Sequence, residues 1–210
     1  MRSGKRTGRA SEADAAKDRQ RGPRDERGVL ADQILKAARA SFASRGYGAT
    51  SLRSVAHDAG VDPALVSYYF ESKAGLLDAV LVLPDGFLEG ITAAASAPLR
   101  KRGAALVQAS LSMWDDPQSA EILRAIILTA NHEQVAMDRI REVFAVHILR
   151  AVSDNLSDDE RSLRAGLVAS QIVGLAITRY VWKIGSIATI PSSQVVDLIG
   201  PAVQRYLVRP

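Results

Sequence analysis

The side chains most capable of metal-binding or acid–base chemistry in this 210-residue chain are its three histidines, His57, His132 and His147. They do not form an H-x-x-H or H-E-x-x-H arrangement, the spacing typical of zinc sites. The chain has no cysteine, which excludes disulfide scaffolds and thiol nucleophiles and is typical of a reducing compartment. The sequence also lacks a nucleophile elbow and a phosphate-binding glycine loop. We therefore predict no enzyme, no cofactor and no metal site.

Positive charge, which nucleic-acid binding requires, is concentrated at the start of the chain. The 27 Lys and Arg exceed the 23 Asp and Glu by four, and this whole excess lies within residues 1–28. Large apolar residues are scarce there, so the segment cannot offset the entropy lost on ordering. We expect residues 1–26 to be a disordered basic arm that contacts nucleic acid. A solvated tail without a role is the alternative.

The elements after the arm are predicted to be helices. An amphipathic helix comes first, because apolar residues recur there at four-residue spacing, and Gly46 and Gly48 then end it. Thr50 or Ser51 can cap a short second helix, and Gly60 allows a tight turn. Asp62 is the expected N-cap of a third helix. The apolar positions of the first helix are Leu30, Ile34, Ala38 and Phe42.

This order of helices is the layout of a helix-turn-helix module, predicted over residues 27–72. Leu65 and Tyr68 are predicted to face outward on a well-capped helix, which suggests that they contact a surface. An ordinary helical hairpin is the alternative interpretation of the same pattern.

The sequence of this module resembles the N-terminal domain of tetracycline-repressor (TetR) family regulators. The resemblance is carried by GYGATSLRSVA at positions 46–56, AGVDPALVSYYF at positions 59–70, and the following Ser72-Lys73. These segments contain the family's Gly-Tyr, Thr-x-x-x-[Val/Ile]-Ala, Ala-Gly-Val and Tyr-Phe-x-Ser-Lys elements. The chain departs from the family at Ser67, where many members carry a Tyr or His that reaches the DNA backbone. The shorter hydroxyl of Ser67 still donates a hydrogen bond but reaches less far.

The resemblance implies a set of DNA contacts that suits the chemistry of these residues. Hydroxyls and free N–H groups at the start of the second helix suit phosphate oxygens, and Arg53 is similar to a position that reaches the major groove. Lys73 resembles the family's phosphate clamp. Solvated side chains are the alternative for Arg53, Tyr68 and Lys73. The predicted DNA-binding residues are Thr50, Ser51, Arg53, Pro63, Ala64, Leu65, Ser67, Tyr68 and Lys73.

Residues 73–210 are predicted to form a second, larger all-helical domain for effector binding and dimerisation. One face of the segment 158–184 carries small residues at four-residue spacing, which allows another helix to approach closely. In the family that the chain resembles, the last two long helices pair with a second subunit; packing within one subunit is the alternative. The small residues are Gly166, Ser170, Gly174 and Thr178. The predicted helices span about 86–96, 99–114, 117–131, 133–154, 158–184 and 192–207.

Aromatic, methionine and histidine side chains in this second domain could line an effector pocket, as the resemblance implies. At helical spacing such residues are more often plain core. The candidate ligand-binding residues are Trp114, His132, Met137, Phe144, His147 and Trp182, with Met113 and Tyr180 as further possibilities.

The combined prediction is an all-α, homodimeric and cytoplasmic transcriptional regulator. We expect it to bind double-stranded operator DNA as a repressor and to be released by an unknown small-molecule effector. No membrane partner is expected, because no apolar run reaches the roughly 18–20 residues of a membrane-spanning helix. The alternatives are a helical ligand-binding or interaction protein of the same fold without operator binding, and an enzyme built on the helical domain.

Overall fold

The structure, a computed structural model, describes residues 23–130, 132–152 and 156–208. Every regular element in these ranges is helical, which confirms the predicted all-α fold. The α-helices are α1 (Pro23–Ala49), α2 (Leu52–Ala59), α3 (Pro63–Phe70), α4 (Lys73–Val80), α5 (Phe87–Ala95), α6 (Arg102–Asp115), α7 (Pro117–Ala130), α8 (Gln134–Val143), α9 (Asp158–Ala176) and α10 (Ser192–Leu207).

Helix α1 begins at Pro23, so residues 23–26 of the predicted disordered arm are helical. The rest of the arm, including Arg2, Lys5, Arg6 and Arg9, lies outside the described residues. Near its other end, α1 bends at Gly46, which has a φ of 79° and a ψ of 162°. Gly46 and Gly48 were predicted to end the helix. Gly46 kinks it instead, and the helix ends at Ala49, one residue after Gly48.

The three short helices are defined by local capping. Ser51, Asp62 and Ser72 are the N-caps of α2, α3 and α4, and each side-chain oxygen accepts a hydrogen bond from a backbone N–H in the first turn. Gly60 ends α2 in the left-handed conformation, at a φ of 66°. Pro63 stands at the first position of α3, where its missing N–H has no cost. Of the two caps predicted for α2, the structure uses the serine.

Helices α1 to α4 share one core with parts of α7 and α8. Ile34 and Phe42 of α1 and Leu76 of α4 are fully buried, and Ile122 and Ile126 of α7 belong to the same cluster. Helix α4, which follows the predicted domain boundary at residue 72, is therefore part of the N-terminal core. The helix-turn-helix unit packs directly on the helices of the larger domain.

The remaining helices form a bundle in which α6 and α10 come into backbone contact. A Cβ atom added at Gly103 of α6 would lie 2.6 Å from the backbone nitrogen of Gln204 and 2.6 Å from the carbonyl oxygen of Gly200. The side-chain oxygen of Gln204 accepts a hydrogen bond from the Gly103 N–H at 2.9 Å. Glycine at position 103 is therefore required by the close approach of the two helices.

Two predicted helices are interrupted by other helical geometry. Helix α8 continues as a π-helical turn over Phe144–Ile148 and a 3₁₀ turn over Leu149–Ala151. Helix α9 continues as a π-helical turn over Ile177–Val181, and the chain then turns at Lys183, whose φ is 52°. The helix predicted over 158–184 therefore ends about three residues early.

Candidate functional site

Helices α2 and α3 expose most of the predicted DNA-contacting residues. Arg53 lies in the first turn of α2, and its exposed side chain has no hydrogen bond or ion pair within the described ranges. Tyr68 is 69% exposed, and its ring packs edge-on against Tyr69 with the centroids 5.4 Å apart. This contact holds the Tyr68 ring in place beside the outer face of α3. Ser51, Pro63, Ala64 and Ser67 are also exposed, and Leu65 is half-buried.

The N-terminus of α2 has donors available for an anion. Ser51 and Ser54 form a reciprocal capping box, in which the Ser51 Oγ accepts from the Ser54 N–H at 3.0 Å and the Ser54 Oγ accepts from the Ser51 N–H at 3.0 Å. This box leaves the N–H groups of Leu52 and Arg53 without a partner in the described part of the chain. Two N–H donors next to a cationic side chain suit a phosphate oxygen.

Thr50 does not lie on this surface, which corrects its predicted role as a phosphate contact. It is only 2% exposed, and its Oγ1 donates a hydrogen bond to the Gly46 carbonyl oxygen at 2.8 Å. The hydroxyl therefore ties the kink of α1 to the start of α2 and is unavailable to DNA.

Lys73 is held beside the end of α1. Its Nζ lies 4.2 Å from the centroid of the Tyr47 ring and 3.4 Å from the Gly48 carbonyl oxygen, to which it donates a hydrogen bond. An ammonium group has three donors, so further hydrogen bonds remain possible. Tyr47 is a positioning residue that the sequence prediction did not assign, although it stands in the Gly-Tyr element.

The orientation of α2 on α1 depends on a polar cluster behind the exposed surface. The Arg45 guanidinium donates to the Asp58 carboxylate and to the Ser41 Oγ, and Gln33 donates to the Ala59 carbonyl oxygen at 2.6 Å. The hydrogen bond from Arg45 lowers the pKa of Asp58 below its usual value. These bonds fix α2 against α1.

A cavity of about 80 Å³ lies between helices of the larger domain. Its wall is mainly apolar, with Ser110 and Arg139 as its polar residues. Trp114, a predicted ligand residue, lines it and is 7% exposed. The sequence prediction missed the other lining residues, which are Leu83, Phe87, Ile91, Ser110, Leu123, Ile126, Ile127, Arg139, Ile140, Val143, Ile148, Ile172, Val173 and Ala176.

The structure places four other candidate ligand residues outside the wall of this cavity, and their role in ligand binding stays a prediction. His132 lies beside Gly46, about 3.9 Å from where a Cβ atom would stand. Met137 packs against the N-terminal core. His147 is hydrogen-bonded through Nδ1 to the Thr92 Oγ1 at 3.0 Å and lines a neighbouring groove.

Trp182 is the fourth of these residues, and it stands 65% exposed at the end of α9. The side chain of Phe144, also a candidate, lies outside what the structure describes. The further candidates Met113 and Tyr180 do not line the cavity and pack around Trp114 instead.

Trp114 connects the cavity to α9 and α10. Its ring stacks on Tyr180 with the centroids 5.2 Å apart. The Tyr180 hydroxyl donates to one oxygen of Asp115 at 2.8 Å, and the Ser192 hydroxyl donates to the other at 2.7 Å. Burial raises the pKa of Tyr180, and the hydrogen bond to Asp115 raises it further.

The predicted row of small residues on α9 faces away from the rest of the chain. A Cβ atom added at Gly166 or Gly174 would have no atom within 4 Å, so the described helices do not pack there. Gly174 and Thr178 are half-buried, whereas Gly166 and Ser170 are exposed. The exposed apolar side chains near this row and on α10 are Leu163, Leu167 and Leu198.

Comparison with known families agrees with both parts of this architecture. Residues 34–80 match the family model described as bacterial regulatory proteins, tetR family. Residues 101–207, half of the chain, match the model of the tetracyclin repressor-like C-terminal domain. The chain belongs to the TetR family. It is therefore a DNA-binding transcriptional regulator and not an enzyme, as predicted.

Solved structures of regulators resemble most of the chain. A TetR-family regulator of Streptomyces coelicolor A3 is 35% identical, with 89% of this chain and 98% of that chain covered and a TM-score of 0.58. NalD, the secondary repressor of the MexAB-OprM multidrug efflux pump in Pseudomonas aeruginosa, has the same fold at 18% identity, with coverages of 88% and 98% and a TM-score of 0.62.

A curated relative matches over a shorter stretch. The probable HTH-type transcriptional regulator YttP of Bacillus subtilis (strain 168) is 36% identical over 66 residues, which span 31% of this chain and 32% of YttP. The chain thus covers about a third of the length of this relative. Within the ranges that the structure describes, no helix has the length and apolarity needed to cross a membrane.

Proposed function

We propose that this TetR-family chain is a homodimeric repressor that acts in the cytoplasm. In this proposal α2 and α3 bind operator DNA, and a small molecule in the cavity releases it. The observation that carries the proposal is that the same side chains serve the cavity and the N-terminal core. Ile126 of α7 and Ile140 of α8 line the cavity, and both pack in the cluster that buries α1 to α4.

The position of these two residues supports a mechanical link between effector and DNA. Protein cores are close-packed, so a ligand that displaces α7 or α8 must also shift the helices packed on their other side. Leu83, three residues after the end of α4, likewise lines the cavity and contacts the N-terminal core. A displaced α4 changes the position of Lys73 and with it the orientation of α2 and α3.

The exposed surface of α2 and α3 supports the proposed docking on DNA. In a helix-turn-helix complex the second short helix enters the major groove while the first contacts the backbone. The small side chains of Pro63 and Ala64 permit close approach, and the Tyr68 hydroxyl can donate to phosphate or base. Ser51, Arg53 and Lys73 supply donors at the edges of this surface.

The open face of α9 and α10 supports the proposed dimer. Leu163, Leu167 and Leu198 are exposed there beside Gly166 and Ser170. Two copies related by a two-fold axis bury the same patch on each chain. Such a dimer holds two α3 helices at a fixed separation. A fixed separation is needed to bind two DNA half-sites that lie about 34–36 Å apart.

Fluorescence anisotropy with a labelled duplex from the region upstream of the chain's own gene tests the DNA part of the proposal. We expect saturable binding that Arg53→Ala weakens by about tenfold, since a bidentate or phosphate contact contributes about 1–3 kcal/mol. Arg100→Ala is the matched control, because it removes an equal charge from an exposed position in the 3₁₀ turn before α6. Equal affinities for Arg53→Ala and Arg100→Ala would place the DNA-binding surface elsewhere.

A further inference from the structure

The helix-turn-helix unit has little positive charge to offer to DNA. Residues 28–82 contain five Lys or Arg and five Asp or Glu, so this part of the chain has no net charge. Arg45 donates to a carboxylate of α2, and Lys36 lies 4.0 Å from a carboxylate of α7. Arg39 is half-buried and lines a groove between α1 and the start of α7. Three of the five cations therefore face other parts of the protein.

Arg53 and Lys73 are the two cations of this unit that remain for DNA. Arg53 is exposed, and Lys73 keeps two donors beyond the one that it shares with the Gly48 carbonyl oxygen. A dimer would bring four such cations to one operator. Sequence-independent affinity grows with the number of phosphates that cations neutralise, and a complex with roughly six to ten phosphate contacts needs more than these four.

The remaining positive charge lies at the start of the chain. Residues 1–22 contain seven Lys or Arg and three Asp or Glu, whereas residues 23–210 contain twenty of each sign. The net charge of +4 of the chain is therefore that of its first 22 residues. Four cations and no acid fall within the first ten residues, and these cations are Arg2, Lys5, Arg6 and Arg9.

Residues 1–22 join the fold close to the DNA-facing helices. Gln33 of α1 donates at 2.6 Å to the carbonyl oxygen of Ala59, the last residue of α2 before the turn that leads to α3. From Gln33 back to Pro23, α1 extends about 15 Å. The chain between Arg9 and Pro23 can span at most about 45 Å. DNA next to the half-site of α3 is therefore within reach of the cations that precede α1.

We propose that residues 1–22 are a second DNA-binding element, whose Lys and Arg neutralise backbone phosphates beside the half-site of α3. Phosphates are the same in every sequence, so this element adds affinity without base preference. Helices α2 and α3 then provide orientation and base contacts, and the first residues provide long-range attraction. This inference rests on the proposed function, because it assigns α2 and α3 to DNA.

Removal of charge at constant chain length tests the proposal. The N-terminal variant of the full-length chain carries four substitutions, Arg2→Gln, Lys5→Gln, Arg6→Gln and Arg9→Gln. The control variant loses the same net charge from exposed positions of the larger domain, through Arg100→Gln, Lys101→Gln, Arg141→Gln and Arg150→Gln. A difference between the two variants therefore reports where the charge lies and not how much charge the chain has.

Anisotropy titrations between about 50 and 200 mM salt measure the slope of log affinity against log salt concentration, which becomes shallower by about 0.9 for each lost phosphate contact. The duplexes are the one from the upstream region and an unrelated one of equal length. We expect the N-terminal variant to have a slope shallower by about two units or more and at least about tenfold weaker binding to both duplexes. The control variant should change the slope by less than about one unit. The ratio of the two affinities, which measures base preference, should stay constant.

Lysine at the arginine positions (Arg2→Lys, Arg6→Lys, Arg9→Lys, with Lys5 retained) should restore the slope that glutamine removes, because an ammonium group binds phosphate as a point charge. Equal slopes for the N-terminal and control variants would overturn the proposal, and so would a failure of lysine to restore the slope. The unrelated duplex separates this result from the proposed function. If the unmodified chain binds both duplexes equally, operator recognition fails, while the slopes still decide whether residues 1–22 contact phosphates.

Discussion

At the scale of single residues, a polar side chain can bind DNA only if its hydrogen-bonding groups are not already used within the protein. Ser51 and Thr50 are adjacent hydroxyls at the start of α2, yet Thr50 is committed to the Gly46 carbonyl oxygen and Ser51 remains on the surface as the N-cap. Lys73 keeps donors for a further partner while its Nζ lies over the Tyr47 ring. Surface position and spare hydrogen-bonding capacity together define the proposed DNA contacts.

Lys73 and Tyr68 are expected to make different contributions to DNA binding. Lys73→Ala removes a phosphate contact, so it should lower the affinity for all sequences alike and reduce the salt slope by about one. Tyr68→Ala should also change the preference among operator variants. Anisotropy titrations at several salt concentrations, on duplexes that vary in the half-site, measure both effects. If both folded variants bind like the unmodified chain, α3 does not face DNA.

Tyr180 is expected to ionise later than an ordinary tyrosine. Its folded-state pKa is raised by burial and by Asp115, so its contribution to stability is fully present below the unfolded value of about 10. This contribution is lost as the pH rises through the higher folded value. The Tm difference between the unmodified chain and Tyr180→Phe should therefore decline above pH 10. In a titration followed by phenolate absorbance, the late ionisation step of Tyr180 should be absent from Tyr180→Phe. A constant Tm difference up to pH 11 would contradict this account.

At the scale of the elements, the sequence predicts what local chemistry controls. Serine and aspartate caps, Pro63 and Gly60 define α2 to α4 through bonds within a few residues, and these helices lie where the pattern placed them. The π-helical turns after α8 and α9 depend on packing between distant segments. A local sequence pattern therefore does not predict them. The residues of the cavity wall could not be predicted for the same reason. An isoleucine that lines a cavity recurs at the same helical spacing as an isoleucine that packs in a core.

Helices α6 and α10 are expected to separate if Gly103 gains a side chain. Gly103→Ala brings a Cβ atom against backbone atoms of α10 that cannot rotate away, so it should destabilise the fold by about 1–3 kcal/mol. The control is Gly90→Ala on α5, where a Cβ atom meets nothing within 4 Å and helix propensity predicts a gain of about 0.5–1 kcal/mol. Urea unfolding followed by circular dichroism measures both changes. Equal stabilities of the two variants would show that the helices have room to adjust.

The open face of α9 is expected to accept bulk without loss of the fold but with loss of the dimer. A Cβ atom at position 174 has no atom within 4 Å, and Ser170 is exposed. Gly174→Leu and Ser170→Leu would therefore place a leucine between two close-packed helices of a dimer. Sedimentation velocity should show monomer or a weakened dimer with helicity retained. Ser112→Leu, on the exposed side of α6, is the control for an added surface leucine. A Gly174→Leu dimer as stable as the control would move the interface to another face.

At the scale of the whole molecule, the helix-turn-helix unit and the cavity are linked through shared helices. The DNA-facing helices are anchored in a core that α7 and α8 complete, and the same two helices form part of the cavity wall. The stack of Trp114 on Tyr180 and the Asp115 network extend from that wall towards α9 and α10. In the proposed function, a ligand can change the spacing of two DNA-binding units only when two chains are held together as a dimer.

The most direct test of the account is the number of chains bound to one operator duplex. Sedimentation of a labelled duplex with increasing protein should show a single step in which two chains of 22.5 kDa bind together. Gly174→Leu should shift this step to at least tenfold higher protein concentration, since the dimer must then form on the DNA, while the Ser112→Leu control leaves it unchanged. Binding of one chain at a time, with equal affinity for the unmodified protein and Gly174→Leu, would contradict a dimeric regulator.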